Sequence, residues 1–265
     1  VLSVRAGRLQ IPFGEEYQNR YVMENPLISH SVSDFWGLDE GVEAFGQLGG
    51  VSYIAGIMNG GHDYLRDYSS SKSLVARLTI DPTANVHFSG SVMRTGDIDI
   101  ENEGLTELWF GNAFFRSIGS GATTAFDVNL AQVDASFSWN NGKMVTAYGK
   151  AWYDDNDPIR DNTRDIEFWQ VGVQQALSES LFAAVRYSGT DADKGYPVSG
   201  MAQRGKYFFG PFMTESIRRL SLGLSYWLYP DLVLKLDLTK EDATLLGGAK
   251  RKDTDMFAAE IGARF

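Results

Sequence analysis

Residues 217–265 read IRRLSLGLSYWLYPDLVLKLDLTKEDATLLGGAKRKDTDMFAAEIGARF, and the parity of this stretch decides the fold. Leu220, Leu222, Leu224, Tyr226 and Leu228 fall on one parity; Arg219, Ser221, Gly223, Ser225 and Trp227 fall on the other. After a turn at Tyr229-Pro230-Asp231, Leu232, Leu234, Leu236 and Leu238 alternate with Val233, Lys235, Asp237 and Thr239. A polar loop intervenes, then Phe257, Ala259, Ile261, Ala263 and Phe265 alternate with Ala258, Glu260, Gly262 and Arg264. Successive side chains on a strand point to opposite faces, so each segment is a strand with one apolar and one polar face. A soluble antiparallel sheet shows the same alternation. The last strand ends on Phe265, in step with the apolar face, and this favours an apolar face turned outward, toward lipid.

Composition is compatible with that reading. Only 43% of the 265 residues are hydrophobic, as expected when apolar and polar positions cancel along every strand. No run of ~18 apolar residues exists, so transmembrane helices are excluded, whereas a spanning strand needs only about ten residues. Twelve Tyr and 16 Phe fit aromatic girdles, and 28 Gly against 7 Pro suit turns and crowded walls. Cysteine is absent, which excludes disulfides, thiolate metal sites and a Cys nucleophile. A net charge of -10 argues against a nucleic-acid partner. A barrel of this kind is exported, so a targeting segment is expected upstream of Val1.

Outward from the C-terminal stretch, the same pattern recurs. Strands are expected at about Leu2–Phe13, Val42–Leu48, Val51–Asn59, Lys72–Asp81, Val86–Thr95, Ala125–Trp139, Lys143–Tyr153, Asp165–Leu177 and Leu181–Ser188. Gly49-Gly50 and Asn140-Asn141-Gly142 are hairpin turns. With the last three strands the count is about twelve. Short turns alternate with long polar segments, among them 14–41, 60–71, 96–124 and 189–215. The expectation is one domain over residues 1–265: an all-β transmembrane antiparallel barrel with short periplasmic turns and long extracellular loops. An even count puts both termini at the periplasmic rim, where the first and last strands can pair. The long segments 14–41 and 189–215 are candidates to fold inward as a constriction, with Tyr207 to Phe212 as its lining or as a small core of the loop.

Two resemblances sharpen this. Ile261-Gly262-Ala263-Arg264-Phe265 resembles the C-terminal signal of bacterial outer-membrane barrels. Gly7-Arg8-Leu9-Gln10-Ile11-Pro12-Phe13-Gly14 resembles a strand end of the phosphate-selective porins of the O and P type. The run from Gly41-Val42 through Gly46 to Tyr53, Asn59 and Gly60 is similar to a hairpin of that family, and Val75-Ala76-Arg77-Leu78 before Asp81-Pro82 also fits it. The resemblance covers roughly residues 2–83 and implies a porin-like channel in the bacterial outer membrane. Two departures stand against a phosphate filter: the family has more strands, and no dense lysine cluster is present.

With apolar residues toward lipid, the other parity lines the interior. Its cations are Arg5, Arg77, Lys150, Arg186, Arg219, Lys235 and Arg264, and its acids are Glu43, Asp134, Asp237 and Glu260. Fixed charges set ion preference at close quarters, and the surplus of cations leans toward small anions. The alternative is that these charges pair across the wall, and a one-residue register error would turn any of them outward. For catalysis the residues are poor: His30, His62 and His87 are the only histidines, His62 with Ser69–Ser71 has arbitrary spacing, and Asp154-Asp155 sits in an acidic loop. No metal, phosphate-loop or nucleophile-elbow motif is present, so neither an enzyme nor a cofactor is expected. The reading is passive diffusion of small polar solutes, with outer-membrane lipid and a possible homo-oligomer or partner protein as surroundings. The alternatives are a barrel that sheaths or anchors a partner, and an outer-membrane hydrolase.

Overall fold

Alternating residues have to form ladders, and they do. The computed structural model describes residues 2–19, 21–32, 37–60, 70–99, 122–201, 207–251 and 254–264, with backbone only for 196–201, 207–212 and 254. In chain order the elements are β1 (Leu2–Gln10), α1 (Glu15–Gln18), β2 (Leu38–Leu48), β3 (Val51–Met58), β4 (Ser73–Thr83), β5 (Val86–Arg94), β6 (Ile98–Asp99), β7 (Ala125–Trp139), β8 (Gly142–Asp155), β9 (Arg164–Ala176), β10 (Leu181–Met201), β11 (Tyr207–Tyr229), β12 (Leu232–Leu245) and β13 (Thr254–Ala263). Twelve long strands pair antiparallel with their chain neighbours from β1 to β13, and the two-residue β6 pairs with β7.

Local chemistry sets the register. Leu48 pairs with Val51 across Gly49-Gly50, and Trp139 pairs with Gly142 across Asn140-Asn141. Asn141 takes a left-handed conformation (φ 65), which its short polar side chain tolerates. Short turns such as these all lie at one end of the strands and the longer connections lie at the other.

Leu220, Leu222, Leu224, Tyr226 and Leu228 are exposed, as are Leu236, Leu238, Phe257 and Ile261 on the neighbouring strands. Opposite parity is buried: Arg219, Ser221, Ser225, Lys235, Asp237, Thr239 and Glu241. The protein is therefore apolar outside and polar inside, the inverse of a soluble domain. Five outward residues from 220 to 228 span about 27 Å along the strand. At a barrel tilt of about 40° this becomes about 21 Å, close to the apolar band of an outer-membrane barrel.

Strands β10 and β11 extend beyond the expected ends at Ser188 and 217. Gly189, Thr190 and Asp191 continue the ladder opposite Arg218, Ile217 and Ser216. These residues rise above the lipid band, where outward positions no longer have to be apolar, so the parity signal fades while the ladder continues. Residues 189–201 and 207–215 are thus paired strands. The side chains of Tyr207 to Phe212, offered above as a lining or as a small core of the loop, lie outside the described residues, as do His62, Ser69 and Phe265.

Candidate functional site

The polar interior is occupied by the connection between β1 and β2. Gly14, with φ 68, turns the chain off β1. Its amide donates to Ser91 Oγ on β5 at 3.1 Å. Two consecutive glutamates of α1 then reach different walls. Glu15 is bonded to Arg77 on β4 and lies 3.0 Å from His87 Nε2 on β5. Glu16 lies 3.0 Å from Arg186 on β10 and bonds the hydroxyl of Ser31. On a flat sheet β4 and β10 would be about 24 Å apart, five spacings of 4.8 Å. Adjacent residues gripping both show how tightly the wall curls.

Further along, the same segment is held by the opposite wall. Asp237 on β12 accepts the amides of Ile28 (3.0 Å) and Ser29 (2.7 Å). Arg219 on β11 donates to the His30 carbonyl at 2.7 Å and is paired to Glu241 at 2.6 Å. Lys235 on β12 donates to the carbonyls of Val22 and, at 2.6 Å, Asn25. Arg186 also donates to the Ser29 carbonyl (2.9 Å) and to Asn25 Oδ1 (3.1 Å). Inward-facing glycines supply the space. A Cβ on Gly223 would lie 2.5 Å from Leu27, and one on Gly262 would lie 2.6 Å from Val22.

Charge and burial oppose each other at the anchors. The Arg186 and Glu16 side chains are only 7% and 9% exposed. Burial alone would raise the Glu16 carboxyl, but Arg186, His30 and the Ser31 donors outweigh it and hold it below the usual carboxylate range. Glu15 behaves alike: burial pushes up, and Arg77 with His87 pull it below.

On the long-loop side of these anchors an apolar cluster fills part of the interior. Ile11, Phe13 and Val32 of the segment pack with inward Val75, Met93, Val128, Leu130, Ile166, Phe168 and Ile217. Each fully buried side chain of this size contributes about 1.5–3 kcal/mol. On the short-turn side a cavity of about 360 Å³ remains, between the segment and the inner faces of β5 and β7 to β10.

The residues expected to line the interior divide as follows. Arg77, Arg186, Arg219 and Lys235 are brought together around residues 15–30. Arg5 bonds Glu43 across the β1–β2 ladder at 2.6 Å and stacks on Phe45, and Glu260 is register partner to Lys235. Asp134 accepts from Gln132 at 2.6 Å. Lys150 is a correction: on β8 the buried parity is Ala147, Gly149, Ala151 and Tyr153. Lys150 shares the outer face with Tyr148 (49% exposed) and Trp152 (39%). There it pairs with Asp165 at 2.8 Å. Ala147 and Gly149 are too small and neutral to mark which parity is inside. Arg264 is a second correction, because β13 ends at Ala263 and the side chain bonds Asp231 at the short-turn rim.

Sequence reasoning missed Glu15, Glu16, Asn25 and Glu241. Glu241 was within reach, since it continues the parity of Lys235 and Asp237. The others sit in an aperiodic segment, where only the adjacency of two glutamates after Pro12-Phe13-Gly14 marks them. Of the histidines that the structure describes, His87 bridges Glu15 and Asp81, and His30 offers its carbonyl to Arg219.

The sequence matches no protein-family model, and no curated protein matches it. Solved structures do match. The outer membrane channel DcaP of Acinetobacter baumannii superposes with TM-score 0.64 at 13% identity, over 97% of this chain and 71% of that one. OmpT, an outer membrane protein of Vibrio cholerae in trimer form, gives 0.56 at 11%, over 97% and 74%. A porin gives 0.52 at 10%, over 84% and 62%. These likenesses define the fold class: an antiparallel β-barrel of the outer-membrane porin type.

Proposed function

We propose that this chain is a porin-like channel of the bacterial outer membrane, through which small polar solutes diffuse passively around the segment 11–32. The observation that carries the reading is the clamped segment. A barrel filled only for stability needs packing, whereas this one places an element of the first long connection across the lumen on buried ion pairs and leaves a cavity lined by both polar and apolar residues beside it. Interior polarity with an apolar exterior suits a solute path through lipid. The apolar layer on the long-loop side makes the constriction narrow, and movement of residues 11–32 sets how far it opens.

Kinship with the phosphate-selective porins is the finer form of this proposal. It is supported by the Gly7–Gly14 motif, which lies where the chain turns into the lumen, and by the hairpin through Gly41 and Gly60. The lean toward anions is not carried over. Arg77 and Arg186 are matched by Glu15 and Glu16, Arg219 by Glu241, and Lys150 is outside.

The test is single-channel recording of the purified, folded barrel in planar bilayers. Stepwise conductance is the expected result. A barrel that inserts, shows the mobility shift of a folded barrel on heating, and passes no current overturns the channel reading.

A further inference from the structure

The cavity on the short-turn side is bounded by charges that the Glu15–Arg77 and Glu16–Arg186 pairs do not neutralise. Glu15 and Glu16, at its ceiling, are matched by Arg77 and Arg186. What remains on its wall is Glu24, Asp81 and Asp134 against Lys143. His87 lies between Asp81 (2.7 Å) and Glu15 (3.0 Å), so even its protonation leaves the balance negative. Asp134 accepts hydrogen bonds from Gln132, Ser89 and the Glu15 amide, and has no cation within ion-pair distance among the described residues. A second observation is independent of formal charge. Gln170, 5% exposed on the inner face of β9, lines the same cavity. Its Oε1 has no hydrogen-bond partner among the described residues. A buried acceptor without a donor is costly, and the same wall already has carboxylates in excess.

From this we infer that the short-turn vestibule is a way-station for small cations, ammonium-bearing solutes included, and that the channel prefers cations. The inference rests on the channel reading above and names the solute class for it. Carboxylates lining a narrow, partly desolvated passage raise the local cation concentration and exclude anions, because field lines concentrate between low-dielectric walls. An ammonium is donor-only and matches a wall of carboxylates and an unpaired amide oxygen. Lys143, Glu24 and Asp81 are all exposed and screened by solvent, so the least screened charge of the cavity is the buried Asp134.

Reversal potential under a potassium chloride gradient, with the folded full chain in planar bilayers, tests this. The parent is expected to show a potassium-to-chloride permeability ratio above one. Glu24→Lys changes an exposed position of the inserted segment and should leave folding intact while lowering the ratio by about twofold or more. Asp134→Asn should lower it in the same direction, with hydrogen bonding largely kept. A conducting parent that prefers chloride overturns the inference and leaves the channel reading standing. So does a ratio that neither substitution moves. A folded barrel without current removes both.

Discussion

At the residue scale the decisive pairs are Glu15–Arg77 and Glu16–Arg186. A buried ion pair adds little net stability over a well-packed apolar pair, but removing one partner leaves an uncompensated charge and costs about 3–5 kcal/mol. Arg186→Gln is therefore expected to release the segment at neutral pH, seen as larger and noisier conductance steps. In the parent the pH dependence has a definite sign. Both glutamates are held below their usual range when the segment is docked. The anchoring is thus complete above the ordinary carboxylate range, about 4.3 for Glu, and is lost only as pH falls through the lowered values. Conductance between pH 7 and pH 5 should be flat from this cause and should rise below about pH 4. A rise already centred near pH 6 would mean that other groups hold the segment.

Among the elements, the inserted segment and the wall are complementary in shape as well as charge. Gly223 and Gly262 are inward positions where a side chain would collide with Leu27 and Val22. Gly223→Leu is expected to keep the barrel, because the β11–β12 ladder is unaffected, yet to displace residues 22–30. Limited proteolysis of the folded variant should then cleave within that stretch, where the parent resists. Equal resistance in both would show that the notch is not what seats the segment. At β10 and β11 the strands outlast their sequence signal, because ladder hydrogen bonds persist where the apolar alternation imposed by lipid has ended.

Over the whole molecule, stability depends on the outward apolar band. Leu222 is exposed in the middle of that band, between Leu220 and Leu224. Leu222→Arg should destabilise the barrel by about 2–4 kcal/mol in lipid vesicles, measured by urea unfolding of folded protein. A change near zero would place β11 against protein rather than lipid. Lys150 gives the contrast: it also sits on an outer face, but beside Trp152 and paired with Asp165, which lowers the cost of its charge.

The sequence by itself determined the strands, their parity and their order. A strand that faces lipid on one side and a polar interior on the other has to alternate, and this constraint is written residue by residue in 220–228, 232–239 and 257–263. Hairpin dipeptides such as Gly49-Gly50 fixed the register locally. The inner or outer assignment followed for Arg77, Arg186, Arg219 and Lys235, whose strands have large apolar residues on the other parity. It failed at Lys150, where inward Ala147 and Gly149 carry no such contrast. Only the tertiary structure decided how the interior is used. Segment 11–32 has no periodicity, and its partners lie up to about two hundred residues away, as with Ile28 and Asp237. Their pairing depends on the curl of the sheet, which brings β4, β10, β11 and β12 around one element. That curl turns a set of wall arginines from free charges into anchors, and leaves unmatched carboxylates to define what remains of the lumen.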